Sequence, residues 1–180
     1  GGSRYIASSQ AFWVKANALG PALTAQEGIK YDGDIGFKSN GNPSYMRINI
    51  TGNGYKDEAV IRVDQNATNQ FDGSLEAYKF FTSHWLAPSL SVIGDDESKD
   101  YSILAINEVT DNISIPIRTY VNTSGEYSIS FEDVEELGFS SCIVLEDLLT
   151  GDITDLTVEP SYTFNIIDTT WAPRFILHVS

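Results

Sequence analysis

The stretch "SYMRINITGNGYKDEAVIRVD", Ser44 to Asp64, decides the fold class. Met46, Ile48 and Ile50 alternate with Arg47, Asn49 and Thr51, the period of two that turns one strand face to a core and the other to water. The run breaks at Gly52-Asn53-Gly54, residues that tolerate positive φ as a tight hairpin demands, and β-branched residues resume in "AVIRVD". Two neighbouring strands paired antiparallel are the expectation. Runs of the same kind recur outward from this hairpin: "QAFWVKA", "PSLSVIG", "YSILAIN", "ISIPIRTYV", "EYSISFE", "CIVLEDL", "ITDLTV", "SYTFNII" and "RFILHV". The stretches Asn122 to Gly125 and Leu149 to Asp152 supply further turn chemistry.

Helical periodicity is nearly absent. The spacing of Leu75, Tyr78 and Phe81 predicts one short helix over Gly73 to Phe81, started by Asp72 as N-cap, and a single turn is expected around Asp133 to Leu137. With about ten strands and almost no helix, the chain reads as all-β. The expected architecture is a two-sheet antiparallel β-sandwich, jelly-roll or immunoglobulin-like, forming a single domain over residues 1–180.

Composition narrows the partners. The chain has 180 residues, a formal net charge of −14 and a pI near 4.3, so its field repels phosphate backbones and nucleic acid is not an expected partner. No apolar run approaches the roughly 20 residues of a spanning helix, and membrane insertion is not expected. The only cysteine, Cys142 in "FSSCIVLED", excludes an internal disulfide, and its apolar surroundings suggest a buried, inert thiol. Gly1-Gly2-Ser3 reads as an expression remnant or an internal cut, so the lack of a leader carries no information on export.

No residue is assigned a catalytic role. The histidines, His84 and His178, lie near no nucleophile motif, and Gly138 to Cys142 lacks the closing glycine of a nucleophile elbow, so a non-enzyme is expected. Without a Cys or His cluster, oxygen ligation of calcium is the metal chemistry to consider. Asp32 to Gly36 begins like a calcium loop, yet Pro43 stands where the closing Glu belongs. Asp64, Asn66, Thr68 and Asp72 put oxygen-bearing side chains on alternate positions of one loop, with position 70 skipped. They suit either a calcium ion or side-chain capping of turns. Trp85 in "SHWLAPS" and Trp171 in "DTTWAP" stand near prolines in loop-like context, and with Tyr31 they are the candidates for stacking against a pyranose. Trp13 and Phe12 alternate inside a strand-like run, which places at most one of them toward water.

Taken in order, "IASSQAFWVKANA", "MRINITGNGYKDEAVIRVDQNATNQFDGSLEAYKF", "LAIN", "IPIRTYVNTSGEYSIS", "VLEDLLTGDITDLTVEPSYTFNI" and "PRFILHV" resemble the β-sandwich region preceding the type IX secretion sorting domain in Bacteroidetes surface and secreted proteins. Members of that group carry further strands upstream and the sorting domain downstream, so the resemblance implies a piece of a larger exported protein. It also implies an extracellular or cell-surface location, an accessory role, and neighbouring domains of the same parent as partners. Two functions stay open. One is a structural spacer, for which the tryptophans should be buried. The other is a carbohydrate-binding module, possible with calcium, for which an exposed aromatic should stand beside convergent polar groups and a polysaccharide would be the partner.

Overall fold

Asn53 and Gly54 both adopt positive φ, 54° and 79°, the backbone of a two-residue hairpin whose twist matches its strands. They join β1 (Tyr45–Gly52) to β2 (Tyr55–Val63) in antiparallel register from Gly52↔Tyr55 to Tyr45↔Arg62. The structure, a computed structural model, describes residues 14, 19–24, 26, 44–94, 99–107, 112–134, 142–167 and 171–180. The chain divides into two compact units, Gly1–Gly41 and Asn42–Ser180, and all strands given below belong to the second.

Beyond the hairpin follow β3 (Ala77–Tyr78), β4 (Ser89–Ile93), β5 (Asp100–Ile106), β6 (Ile113–Tyr120), β7 (Gly125–Glu132), β8 (Ile143–Asp147), β9 (Ile153–Asp155), β10 (Ser161–Ile166) and β11 (Phe175–Val179). The all-β expectation holds, and the runs named from Ser44 onward became strands. They form one continuous sheet in the order β10-β7-β1-β2-β5-β4-β6-β11-β8-β9, with β3 added on β5. Among the described residues, only β2 and β5 pair in parallel. β4 meets β5 at Asp100 and Tyr101, whereas β2 meets it at Ile103 to Ile106, so β5 hands the sheet from one group of strands to the other.

The inward residues of both groups form one core, with Met46, Ile48 and Ile50 of β1 beside Tyr127, Ile129, Leu145, Phe164, Phe175 and Leu177. The Tyr127 hydroxyl donates to Thr123 O (2.8 Å) and accepts from Asn53 Nδ2 (2.8 Å), which satisfies the one polar atom of a buried ring. Strand β4 is buried at all five residues, its serines included, and it lies between β5 and β6 in the sheet. There the buried Lys79 ammonium pairs with Asp57, whose carboxylate also accepts Leu90 N at 2.7 Å.

Side chains bring the sheet nearly closed. Arg174, just ahead of β11, donates from Nη2 to Asp147 Oδ2 (2.7 Å) and from Nε to Asp147 Oδ1 (3.0 Å), while its Nη1 reaches Asn165 O on edge strand β10 (2.8 Å). Tyr162 of β10 donates to Asp147 Oδ2 (3.2 Å), and the Phe164 and Phe175 rings meet at 4.9 Å. A guanidinium that occupies an edge carbonyl also removes it as a template for another chain.

Two expectations are corrected. No helix spans Gly73 to Phe81: Asp72 does cap a turn, accepting Ser74 N at 2.8 Å, but Ala77 and Tyr78 then pair with β5. A nine-residue helix is marginal alone, and ladder hydrogen bonds plus the Phe71–Tyr78 stack at 4.0 Å favour extension. Cys142 is exposed: it precedes β8, and its backbone is engaged with that of Ser180. The turn expected at Asp133 to Leu137 lies mostly outside the described residues, as do Phe12, Trp13 and Asp32 to Gly36.

Candidate carbohydrate-binding face

Along β6 the inward positions are Ile115 and Ile117, which leaves Ser114, Pro116, Arg118 and Tyr120 on the outer face. A cation there in mid-strand needs partners. Arg118 stands opposite Ser91 of β4 and is only 8% exposed. Its Nη1 pairs with Asp100, whose Oδ1 also accepts the Ser91 hydroxyl at 2.6 Å, and its Nε donates to Trp171 O at 2.6 Å. Two nitrogens of the buried guanidinium, Nη1 and Nε, are thereby turned to defined acceptors.

The same guanidinium lies 4.7 Å from the Trp171 ring centroid, a cation–π contact. Phe81 and Tyr120 flank the indole at 5.0 and 5.2 Å, both steeply tilted to it. Tyr120 is itself oriented by a hydrogen bond to Asn122 Oδ1 (3.1 Å). Trp171 nevertheless stays 49% exposed. An indole held by its own carbonyl, by a cation and by two rings, yet half open to water, is a preorganised stacking surface.

Trp85 occupies a second place. Ala87 N donates to His84 O (3.2 Å), so Trp85 and Leu86 form the tip of a tight turn, and Trp85 is 65% exposed. The turn is fastened to the β1–β2 hairpin by Asn53 Nδ2 to Leu86 O (3.2 Å) and by the Tyr55–His84 ring contact at 4.6 Å. Among the described residues no ring contact joins Trp85 to the Trp171 cluster. Tyr31 lies outside the described residues.

The four oxygen-bearing loop residues are each occupied locally. Asp64 Oδ1 accepts Asn66 N (3.0 Å) and Asn66 Nδ2 (3.2 Å), while Oδ2 accepts Arg62 Nη2 (2.8 Å). Thr68 Oγ1 exchanges hydrogen bonds with the Gln70 backbone, and Asp72 Oδ1 takes both the N–H and the hydroxyl of Ser74. The backbone N–H of Asn66 holds the Asp64 carboxyl below its ordinary range, and that of Ser74 does the same for Asp72. This is the pattern of side-chain capping in turns. Among the described residues no group of three or more His, Cys, Asp or Glu side chains gathers as a metal would need.

Sequence reasoning passed over His178, which spacing leaves near no nucleophile. The sheet places Ser114 of β6 directly opposite it, with Glu146 of β8 diagonal to it on the outer face. Ser114 Oγ lies 2.9 Å from His178 Nδ1, and His178 Nε2 lies 2.7 Å from Glu146 Oε2. Alternation in "ISIPI", "IVLED" and "FILHV" assigns all three residues to outer faces, but only the strand order makes them neighbours. No protein-family model matches the chain, and neither a curated protein nor a solved structure matches it.

Proposed function

We propose that Asn42–Ser180 is a non-catalytic module of an exported bacterial surface protein and that it binds carbohydrate through Trp171. The observation that carries this reading is the fixed, half-open indole over Arg118, with Phe81 and Tyr120 beside it. A pyranose presents an apolar face of C–H groups to such a ring, and its hydroxyls find hydrogen-bonding partners around the rim. A passive spacer has no need to leave two tryptophans open to water. Location, and the tie to proteins exported by type IX secretion, rest on the sequence resemblance.

For the architecture we favour the two-sheet sandwich, with β10-β7-β1-β2 as one layer and β4-β6-β11-β8-β9 as the other. Support comes from β5, which pairs with a different group at each end, as strands that switch sheets do. Further support comes from Tyr127, whose hydroxyl bonds back to the backbone of Thr123, the habit of a tyrosine corner in Greek-key sandwiches. Asp64, Asn66, Thr68 and Asp72 serve as turn caps in this reading, and calcium is not required for binding.

The test is retention of the purified protein on a panel of insoluble and soluble polysaccharides, with tryptophan fluorescence read alongside, in calcium and again in EDTA. At least one polysaccharide should bind saturably in both. Trp171→Ala should weaken that binding about tenfold or more, equivalent to roughly 1.4 kcal/mol, with the thermal midpoint unchanged. Silence across the panel, or binding indifferent to Trp171→Ala, overturns the assignment.

A further inference from the structure

On the outer face of β6, β11 and β8, three side chains stand in hydrogen-bond succession: the Ser114 hydroxyl, the His178 imidazole and the Glu146 carboxylate. The order fixes the proton positions. Carboxylate Oε2 of Glu146 can only accept, so His178 Nε2 carries the hydrogen, and in the neutral ring Nδ1 then offers its lone pair to the Ser114 O–H. A serine that donates to a base, whose far side is oriented by a carboxylate, is the arrangement that raises hydroxyl nucleophilicity on several unrelated folds. Ser114 is exposed, and the side chains of His178 and Glu146 are 37% and 32% exposed, so a reagent reaches the oxygen without rearrangement. The three residues lie on adjacent strands with both ladders of β11 formed, which holds them in register.

We propose that Ser114 is an acyl-modification site: an activated hydroxyl that takes an acyl group from an activated carboxylic ester. Ser114 Oγ forms a bond to the acyl carbon, and the bond from that carbon to the leaving oxygen breaks. The leaving oxygen departs with the electron pair. The serine proton passes to His178 Nδ1 and on to the leaving group or water, and nothing is oxidised or reduced. The product is a serine ester on the protein, formed once per chain, so the site adds a modification to the module without making it a turnover enzyme. The site is separate from the Trp171 face: Ser114 and Arg118 are four positions apart on β6, about 13 Å at the rise of an extended strand, and the assignment does not depend on sugar binding.

The probe is 4-nitrophenyl acetate, applied to the chain carrying Cys142→Ser so that the exposed thiol does not compete. Peptide mass mapping over time gives the acetylation rate at Ser114 and, in the same molecules, at the exposed Ser161 as an internal reference. Ser114 should react about 100-fold faster than Ser161, the lower end of what a positioned base contributes. His178→Gln should remove that advantage, and Glu146→Gln should reduce it while the folded state, read from the thermal midpoint, persists. The proposal is overturned if Ser114 acetylates no faster than Ser161, or if its rate is unchanged in His178→Gln.

Discussion

Arg174→Met tests whether the near-closure of the sheet depends on one guanidinium. Asp147 is 1% exposed, and Arg174 is the cation on it, through two nitrogens on both carboxylate oxygens. Methionine keeps much of the aliphatic stem but removes the guanidinium, which lies over Phe164 and Phe175, so the loss is of the cation with its ion pair and ring contacts. Removing one partner of a buried pair costs about 3–5 kcal/mol, because the remaining charge has no compensation. At about 2–4 °C per kcal/mol for a chain of this size, the thermal midpoint should fall by roughly 6–20 °C at pH 7, read by calorimetry. The pH dependence is sharper still. Burial alone would push the Asp147 carboxyl up, but the Arg174 hydrogen bonds, the Leu149 N–H and the Tyr162 hydroxyl outweigh it and hold the group below its ordinary range. A depressed carboxyl contributes stability that is complete above its unfolded value of about 4 and is lost as pH falls through the folded value. In Arg174→Met the Leu149 N–H and the Tyr162 hydroxyl still hold the carboxyl, but the largest influence opposing burial is gone, so the group is less depressed than in the wild type. The difference between wild type and variant should therefore narrow as pH falls through and below about 4. A difference below about 2 °C at pH 7, or one that widens in acid, refutes the reasoning.

Gly52→Ala should destabilise the protein by roughly 1–3 kcal/mol, seen as a lower urea midpoint at unchanged slope, because a Cβ there would stand 2.2 Å from Tyr127 Cδ1 in a ring that is 1% exposed; an unchanged midpoint counts against the packing described. Cys142 should react with a maleimide in the folded protein about as fast as a free thiol, since it is exposed; a thiol that reacts only after denaturation would return it to the interior.

The fold class was legible because strand signals are local. Alternation in "YMRINIT" and "EYSISFE", and the Asn-Gly pair in the hairpin, act over a few residues and survived into β1, β2 and β7. The helix proposed for Gly73 to Phe81 failed for the opposite reason. Leu75, Tyr78 and Phe81 have helical spacing, but their partners lie far along the chain: Tyr78 near Tyr101, Phe81 against Tyr120 and Trp171. Tertiary pairing overrode a weak local preference. Cys142 misled because apolar neighbours in sequence belong to the strand that begins after it. At the candidate face, the proline-flanked setting marked Trp85 and Trp171 as candidates for exposure, and they are 65% and 49% exposed. Arg118, Phe81 and Tyr120 were not legible as their companions, since strand order places them there. The one cue in the chain was a cation inside the apolar run "IPIRTYV", which on a central strand must be partnered.

β11 runs between β6 and β8, antiparallel to both, with five residue pairs on each side. Tension entering through Ser180 along that strand would pull it lengthwise past two neighbours at once, so the rungs of both ladders resist together instead of opening one after another. The edge strands β9 and β10, each paired along one side only, would peel rung by rung under the same pull. The placement of β11 thus gives the sheet a direction of high mechanical strength.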